Sequence, residues 1–305
     1  MLCRQRNSCS GDRKGIRSVK NIEQFFEMAR ERQQIYLKRE AGEPAPWTED
    51  RVLRNFRFCN IFREKDKTTI WFRENIRDPL KDDPKVLLAT MGFRWFNLIS
   101  TGELIKDVLL EEGWNSEKIL SLLDGKSPLV TGAYIIKTPN GRKKLPGICE
   151  CMDVTVSRAQ RLLDRRELTP GGLQWFHREL LELPYMGPFM AYEVVTDLRF
   201  TYLLENAQDT DKWASAGPGC ARGLGWLASD NPERYSYTSA AAQQRMLGLM
   251  VEILECSRHA EYWPPKWPRW EMREVEHTLC EYDKWRRGRK GQRLKRIFNE
   301  SDYCS

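Results

Sequence analysis

The 305 residues suffice for one large domain or two small ones, and 41% hydrophobic against 30% charged residues is a globular balance that excludes a disordered chain. No apolar stretch approaches the roughly 20 residues that span a bilayer, Leu247–Leu254 being among the longest, and the amino terminus lacks a signal-peptide core, so a soluble protein without a membrane partner is expected, cytoplasmic or nuclear. Nine cysteines without a regular framework point to reduced thiols, and the net charge of +7 gathers at the two ends, where it suits either a polyanion partner or a solvated tail.

Residues 1–18 read as a disordered basic leader. Asn21 with Gln24 resembles a capping box opening a helix whose apolar face carries Phe25, Phe26, Ala29, Tyr36 and Leu37, ended by Gly42 and Pro44. A second helix is expected over Glu49–Asn75, then helices near Pro84–Thr101, Gly102–Glu112 and Ser116–Leu123. Tyr134–Lys137, Pro139-Asn140-Gly141 and Arg142–Leu145 read as one small β-hairpin around an Asn-Gly turn. Helical patterning resumes at Thr155–Leu163, Gly172–Leu183, Leu183–Leu198, Cys220–Ala228, Ser239–Cys256 and Glu271–Arg287, so the fold class is mainly α. We expect one helical domain over 19–287 and a basic tail over 288–305.

The stretch Leu181–Leu198 predicts a helix, a tight turn at Leu183-Pro184 and Gly187, and a second helix opening at Pro188. The first-turn N–H groups of such a helix make a phosphate site, and the likeness of the stretch to a DNA-binding helix-hairpin-helix implies DNA contact by Tyr185, Gly187 and Phe189. The pattern resembles the helix-hairpin-helix of DNA repair glycosylases, with Tyr185 where the first hairpin glycine is usual; an ordinary helix corner is the plain alternative. In those glycosylases a catalytic aspartate follows at similar range, which here matches Asp209, with Asp211 as the neighbouring alternative. Their Schiff-base lysine position holds Phe189, so lyase chemistry is not implied.

Ala216–Leu224 places a Gly-Pro-Gly turn before a helix carrying Arg222, a candidate second anion site that includes Gly219. No P-loop spacing occurs, which counts against a nucleotide kinase in this chain by itself. Taken with Phe26–Tyr36 running to Trp47, with Arg57–Asp66 and with Glu276–Lys284, the chain resembles the α-glutamyl/putrescinyl thymine pyrophosphorylase family, which overlaps the helical domain of 5-hydroxymethyluracil DNA kinases. The resemblance covers most of Lys20–Arg287. It implies a glycosylase-like helical fold acting on a flipped thymine base in DNA, where an amine displaces pyrophosphate from 5-pyrophosphoryloxymethyl-uracil. It further implies an amine or amino-acid co-substrate and a 5-hydroxymethyluracil DNA kinase as partner. Asp209 or Asp211 would be the general base, and Arg222 with Gly219 and Arg63 would meet the departing pyrophosphate. A monofunctional glycosylase and a non-catalytic DNA-positioning domain are the alternatives.

Arg57, Asn60, Arg63 and Asp66 recur at spacings of three and four and are expected to share a helix face, lining the site or forming a surface ion-pair row. His277, Asp283 and Lys284 are further site candidates from the family-like segment. Cys256-x-x-His259 and His277-x-x-Cys280 have zinc-like spacing, but i, i+3 packing is preferred and no metal ligand is assigned; a divalent ion is left open. The Tyr262–Trp270 run of aromatics and prolines is read as a packed loop in preference to a base-stacking surface.

Overall fold

A computed structural model describes residues 21–132, 136–139, 141–168 and 171–298. Its helices are α1 (Ile22–Glu40), α2 (Arg51–Asn55), α3 (Lys67–Phe72), α4 (Val86–Phe96), α5 (Ile99–Glu112), α6 (Ser116–Leu123), α7 (Lys144–Leu168), α8 (Leu173–Leu180), α9 (Pro188–Leu198), α10 (Pro218–Ser229), α11 (Ala240–Cys256) and α12 (Met272–Arg289). A 3₁₀ turn covers Arg63–Lys65 and a π-helical turn covers Arg73–Arg77. The protein is mainly α, and the described residues pair as β-structure only at an isolated antiparallel bridge, Phe56 with Ile297. No described helix is long and apolar enough to cross a membrane.

The expected β-hairpin is not formed by its second arm. A turn closes from the Arg142 N–H to the Pro139 carbonyl and Gly141 takes φ +77°, but Lys144 and Leu145 already begin α7. Tyr134, Ile135 and Asn140 lie outside the described residues, as does the leader expected over 1–18. The single helix expected over Glu49–Asn75 is also broken. Phe56, Phe58, Cys59 and Asn60 are weak helix formers, and long-range partners claim the backbone there: the Arg57 N–H donates to Arg296 O, and the Cys59 N–H donates to Glu281 Oε2 at 3.1 Å. The Asn21–Gln24 capping box is absent. Asn21 instead donates its Nδ2 to Trp226 O at 3.0 Å, docking the start of α1 on the end of α10.

The chain divides into two compact units, one from the residues up to Ile61 and from Ala216, the other Phe62–Ser215. In the first, the wholly buried Phe25 and Phe26 of α1 pack edge-on to one another and against Trp270, with Phe25 also against Tyr282 of α12. The aromatic loop is thus core material, with Trp263 and Trp270 buried. The basic stretch expected to leave as a tail at 288 continues α12 to Arg289, then buries Leu294 and pairs at Ile297.

The second unit is organised on α4, buried along nearly its whole length, as a helix apolar on every side requires. Phe93 stacks on Phe72 at 4.9 Å and on Trp71 at 5.3 Å. Gly102, expected to start a helix, lies inside α5, where a Cβ would meet Trp71 at 2.3 Å; the helix boundary falls earlier, at Asn97 with φ +45°. One charge is buried on α4. Arg94 donates Nε and Nη2 to Asp197 of α9 at 2.5 and 2.7 Å, and Nη1 to Asn97 at 2.9 Å. Both partners of the pair are essentially unexposed.

Leaving either charge without its partner is expected to cost about 3–5 kcal/mol, so Asp197→Ala and Arg94→Met should each shift urea denaturation strongly, and an unchanged midpoint in either would contradict the assignment. A second expectation concerns α12. Glu271 and Glu274 form its capping box, and burial pushes the Glu274 carboxyl up to about 7. A raised carboxyl favours the fold below its unfolded value and loses that contribution as pH rises through about 7. Glu274→Gln keeps an acceptor for the box and should match the parent at pH 4.5 but exceed it by about 1–3 kcal/mol at pH 8. Equal stability at pH 8 would argue against a buried, titrating Glu274.

Candidate functional site

The predicted helix–turn–helix stretch forms in the second unit as α8, a connection through residues 181–187, and α9. Gly187 is the N-cap of α9 with Pro188 at its first position, and no side chain caps this end. Proline fits because its absent N–H has no intrahelical partner there. Tyr185 takes the left-handed conformation at φ +57°, doing with a tyrosine what the expected glycine does at no steric cost. Gly187 has φ −75°, and a Cβ there would meet nothing within 4 Å, so the backbone around it is open to a ligand. Tyr185 and Phe189 are 47% and 50% exposed beside it.

His177 holds the element together. Its Nε2 donates to the Pro188 carbonyl at 3.0 Å, joining α8 to the first turn of α9, and its ring packs on Trp213 and Tyr192. Burial holds the imidazole below its usual range, so it is neutral in the fold at neutral pH.

Asp209 has a structural duty that sequence reasoning missed. Its Oδ1 accepts the Leu173 N–H at 2.7 Å and its Oδ2 accepts the Gln174 N–H at 3.0 Å, capping α8 from 35 residues away in sequence. Gly172 permits the approach, since a Cβ there would lie 2.1 Å from Asp209 Oδ1. Asp211 lies in the turn just after it.

In the first unit, α10 and α12 pack at close range because two glycines, Gly219 and Gly223, stand one turn apart on α10. A Cβ at Gly223 would lie 2.2 Å from the Leu279 carbonyl, and one at Gly219 would lie 2.9 Å from Cys280 Sγ. Gly219 is therefore a packing residue inside α10, whereas the sequence assigns it to an anion-binding turn. The same face brings Arg222 to Asp283: Arg222 Nε donates to Asp283 Oδ2 at 3.1 Å, and Trp226 Nε1 donates to Oδ1 at 3.1 Å. Arg287, one turn after Asp283, donates Nε to the same Oδ2 at 3.2 Å. The sequence joins Arg222 and Asp283 only as members of one family pattern; Arg287 and Trp226 were missed, although Asp283 to Arg287 is an i, i+4 spacing.

The expected face of Arg57, Asn60, Arg63 and Asp66 does not exist as a helix. Arg57 and Asn60 lie in the extended run before Ile61; Arg63 opens the 3₁₀ turn and Asp66 precedes α3. Lys284 Nζ donates to the Arg57 carbonyl and lies 4.3 Å from the centre of the Phe58 ring. Asn60 Oδ1 accepts from the buried Arg32 at 2.6 Å, and Arg63 pairs with Glu193 of α9. Lys284 and Asn60 thus position backbone and side chains in the first unit, and Arg63 does so in the second. His277 lies buried in the first half of α12. Cys256, His259, His277 and Cys280 do not converge on a common ligand point among the described residues. Burial pushes the Cys256 thiol up to about 11, and Cys280 Sγ donates to Glu276 at 3.5 Å.

Three comparisons with known proteins bear on these sites. The profile of the family described as 5-hmdU DNA kinase, helical domain, matches residues 19–294. The 5-hmdU DNA kinase of Bacillus phage SP10 is 23% identical over 222 residues, which cover 66% of this chain and 35% of that relative. The chain thus spans about a third of the length of the curated relative it matches. No solved structure matches.

The close α10–α12 crossing predicts that Gly223→Ala forces the helices apart at a cost of about 1–3 kcal/mol. Thermal unfolding followed by circular dichroism checks this, and a melting curve identical to the parent would show that the crossing tolerates a methyl group.

Proposed function

Because the chain belongs to the 5-hmdU DNA kinase helical-domain family, we propose that it works on 5-substituted uracil in DNA, as part of thymine hypermodification. The observation that carries the reading is the uncapped start of α9, with open space around Gly187 and two half-exposed aromatic rings beside it. In this reading α8 and α9 act as a helix-hairpin-helix. The first-turn amides of α9 accept a backbone phosphate, and the helix dipole favours the negative charge. Tyr185 and Phe189 offer rings to the neighbouring sugar or to an unstacked base.

The reaction we propose is displacement of pyrophosphate from 5-pyrophosphoryloxymethyl-uracil by an amine or amino-acid co-substrate. The carbon–nitrogen bond forms as the carbon–oxygen bond to pyrophosphate breaks, and the amine gives up one proton. The departing pyrophosphate needs cations, and Arg222 is proposed to supply one. Asp209 and Asp211 are the carboxylates proposed to take the proton; Asp209 also caps α8, so Asp209→Asn is expected to cost stability as well as turnover. A second reading, favoured by the capping duty of Asp209 and by the kinase name of the phage relative, is a domain that positions DNA for a 5-hydroxymethyluracil DNA kinase.

Incubating the protein with duplex DNA carrying the pyrophosphorylated base and a panel of amines, then digesting to nucleosides for mass spectrometry, separates these readings. A new nucleoside is expected. An abasic site would replace the transfer reading with a glycosylase, and unchanged DNA that is still bound would leave the positioning role. Gly187→Ala tests the DNA contact separately: its φ suits alanine, so stability should change by under about 1 kcal/mol, while duplex affinity falls roughly tenfold. Undiminished duplex affinity in that variant would remove the turn from the DNA interface.

A further inference from the structure

Asp283 is 1% exposed, and both its oxygens are occupied. Oδ1 takes the Trp226 indole N–H, and Oδ2 takes the Nε–H of Arg222 and the Nε–H of Arg287. The carboxylate is therefore satisfied without the terminal nitrogens of either arginine. Those Nη groups have no hydrogen-bond partner among the described residues, and the two side chains are 37% and 33% exposed. A single carboxylate cannot neutralise two guanidiniums hung on one of its oxygens, and two like charges held this close repel unless a further anion joins them.

Among the described residues, no ion pair supplies that anion. Arg286 and Lys290 share Asp230 and lie over the Trp226 ring at 5.2 and 4.4 Å, so among the described residues these four cations pair with two carboxylates, Asp283 and Asp230. Because Arg222 and Arg287 are pinned through Nε, each loses rotamer freedom before any ligand arrives, while its planar pair of Nη groups stays available for a tetrahedral oxyanion. Neutralising a buried aspartate needs one arginine; the second is surplus to that task.

We infer that Arg222 and Arg287 form a two-pronged clamp for a phosphoryl group, held in register by Asp283 and Trp226. The inference rests on the proposed reaction only for the source of that group, which is either free pyrophosphate or a phosphate of the DNA backbone.

Calorimetric titration of the full chain with inorganic pyrophosphate, and separately with unmodified duplex DNA, tests the clamp in the parent, Arg222→Gln and Arg287→Gln. The expected result is pyrophosphate binding that weakens at least tenfold in each variant, with melting curves preserved and with partial recovery in Arg287→Lys. If instead only duplex affinity falls, with a salt slope reduced by about one per arginine, the clamp holds a backbone phosphate. Parent-like binding of both ligands by both variants overturns it. Pyrophosphate binding without any new nucleoside would keep the clamp and discard the reaction, while normal nucleoside formation by both variants would do the reverse.

Discussion

The corner between α8 and α9 depends on one buried ion pair. Arg94 and Asp197 are removed from water almost completely, an arrangement whose desolvation cost is offset only by near-ideal geometry and further hydrogen bonds. Both conditions are met: the pair is two-pronged, and the remaining Arg94 nitrogen is used by Asn97, the residue that ends α4 in the left-handed conformation. Glu193, one turn earlier on α9, stands 3.8 Å from Arg94 and pairs with Arg63. α9 is thereby fixed in rotation on α4 by charge as well as by apolar packing. A helix pinned along its middle presents its first turn in a defined direction, and His177 then fixes α8 to that turn.

The first unit reaches similar rigidity by another route. Gly219 and Gly223 remove side-chain bulk so that two helices approach closely, and the polar groups trapped at the crossing are satisfied across it. Removing bulk brings donors and acceptors within reach at little entropic cost, because Asp283, Trp226 and the two arginines each spring from a rigid helix. Both units thus place charge where packing has already fixed the backbone.

The helices were largely legible in the sequence, because α4, α5, α6, α10, α11 and α12 carry sustained 3.6-residue patterns. The failures share a cause. Phe56 to Ile61 has a helix-like pattern, but Arg32, 26 residues from Phe58, and Glu281 and Lys284, more than 200 residues from their partners, satisfy its backbone, and no local rule anticipates such contacts. Gly102 reads in the sequence as the start of a helix, yet it lies inside α5 and leaves room for the Trp71 ring. Asp209 was visible through the glycosylase resemblance, by its spacing from the helix–turn–helix stretch, while its bonds to Leu173 and Gln174 depend on a fold-back that spacing cannot encode. Arg222 and Asp283 were each legible as candidates; that they share a carboxylate oxygen with Arg287 required three dimensions.

Tyr185 carries a consequence of a different kind. A non-glycine residue in the left-handed region is held there against roughly 1–2 kcal/mol of steric opposition. Almost any fold-centred optimisation would place glycine or asparagine at this point, since the tyrosine ring is half exposed and contributes little to the core. The turn therefore holds an aromatic ring half exposed at the cost of local backbone strain.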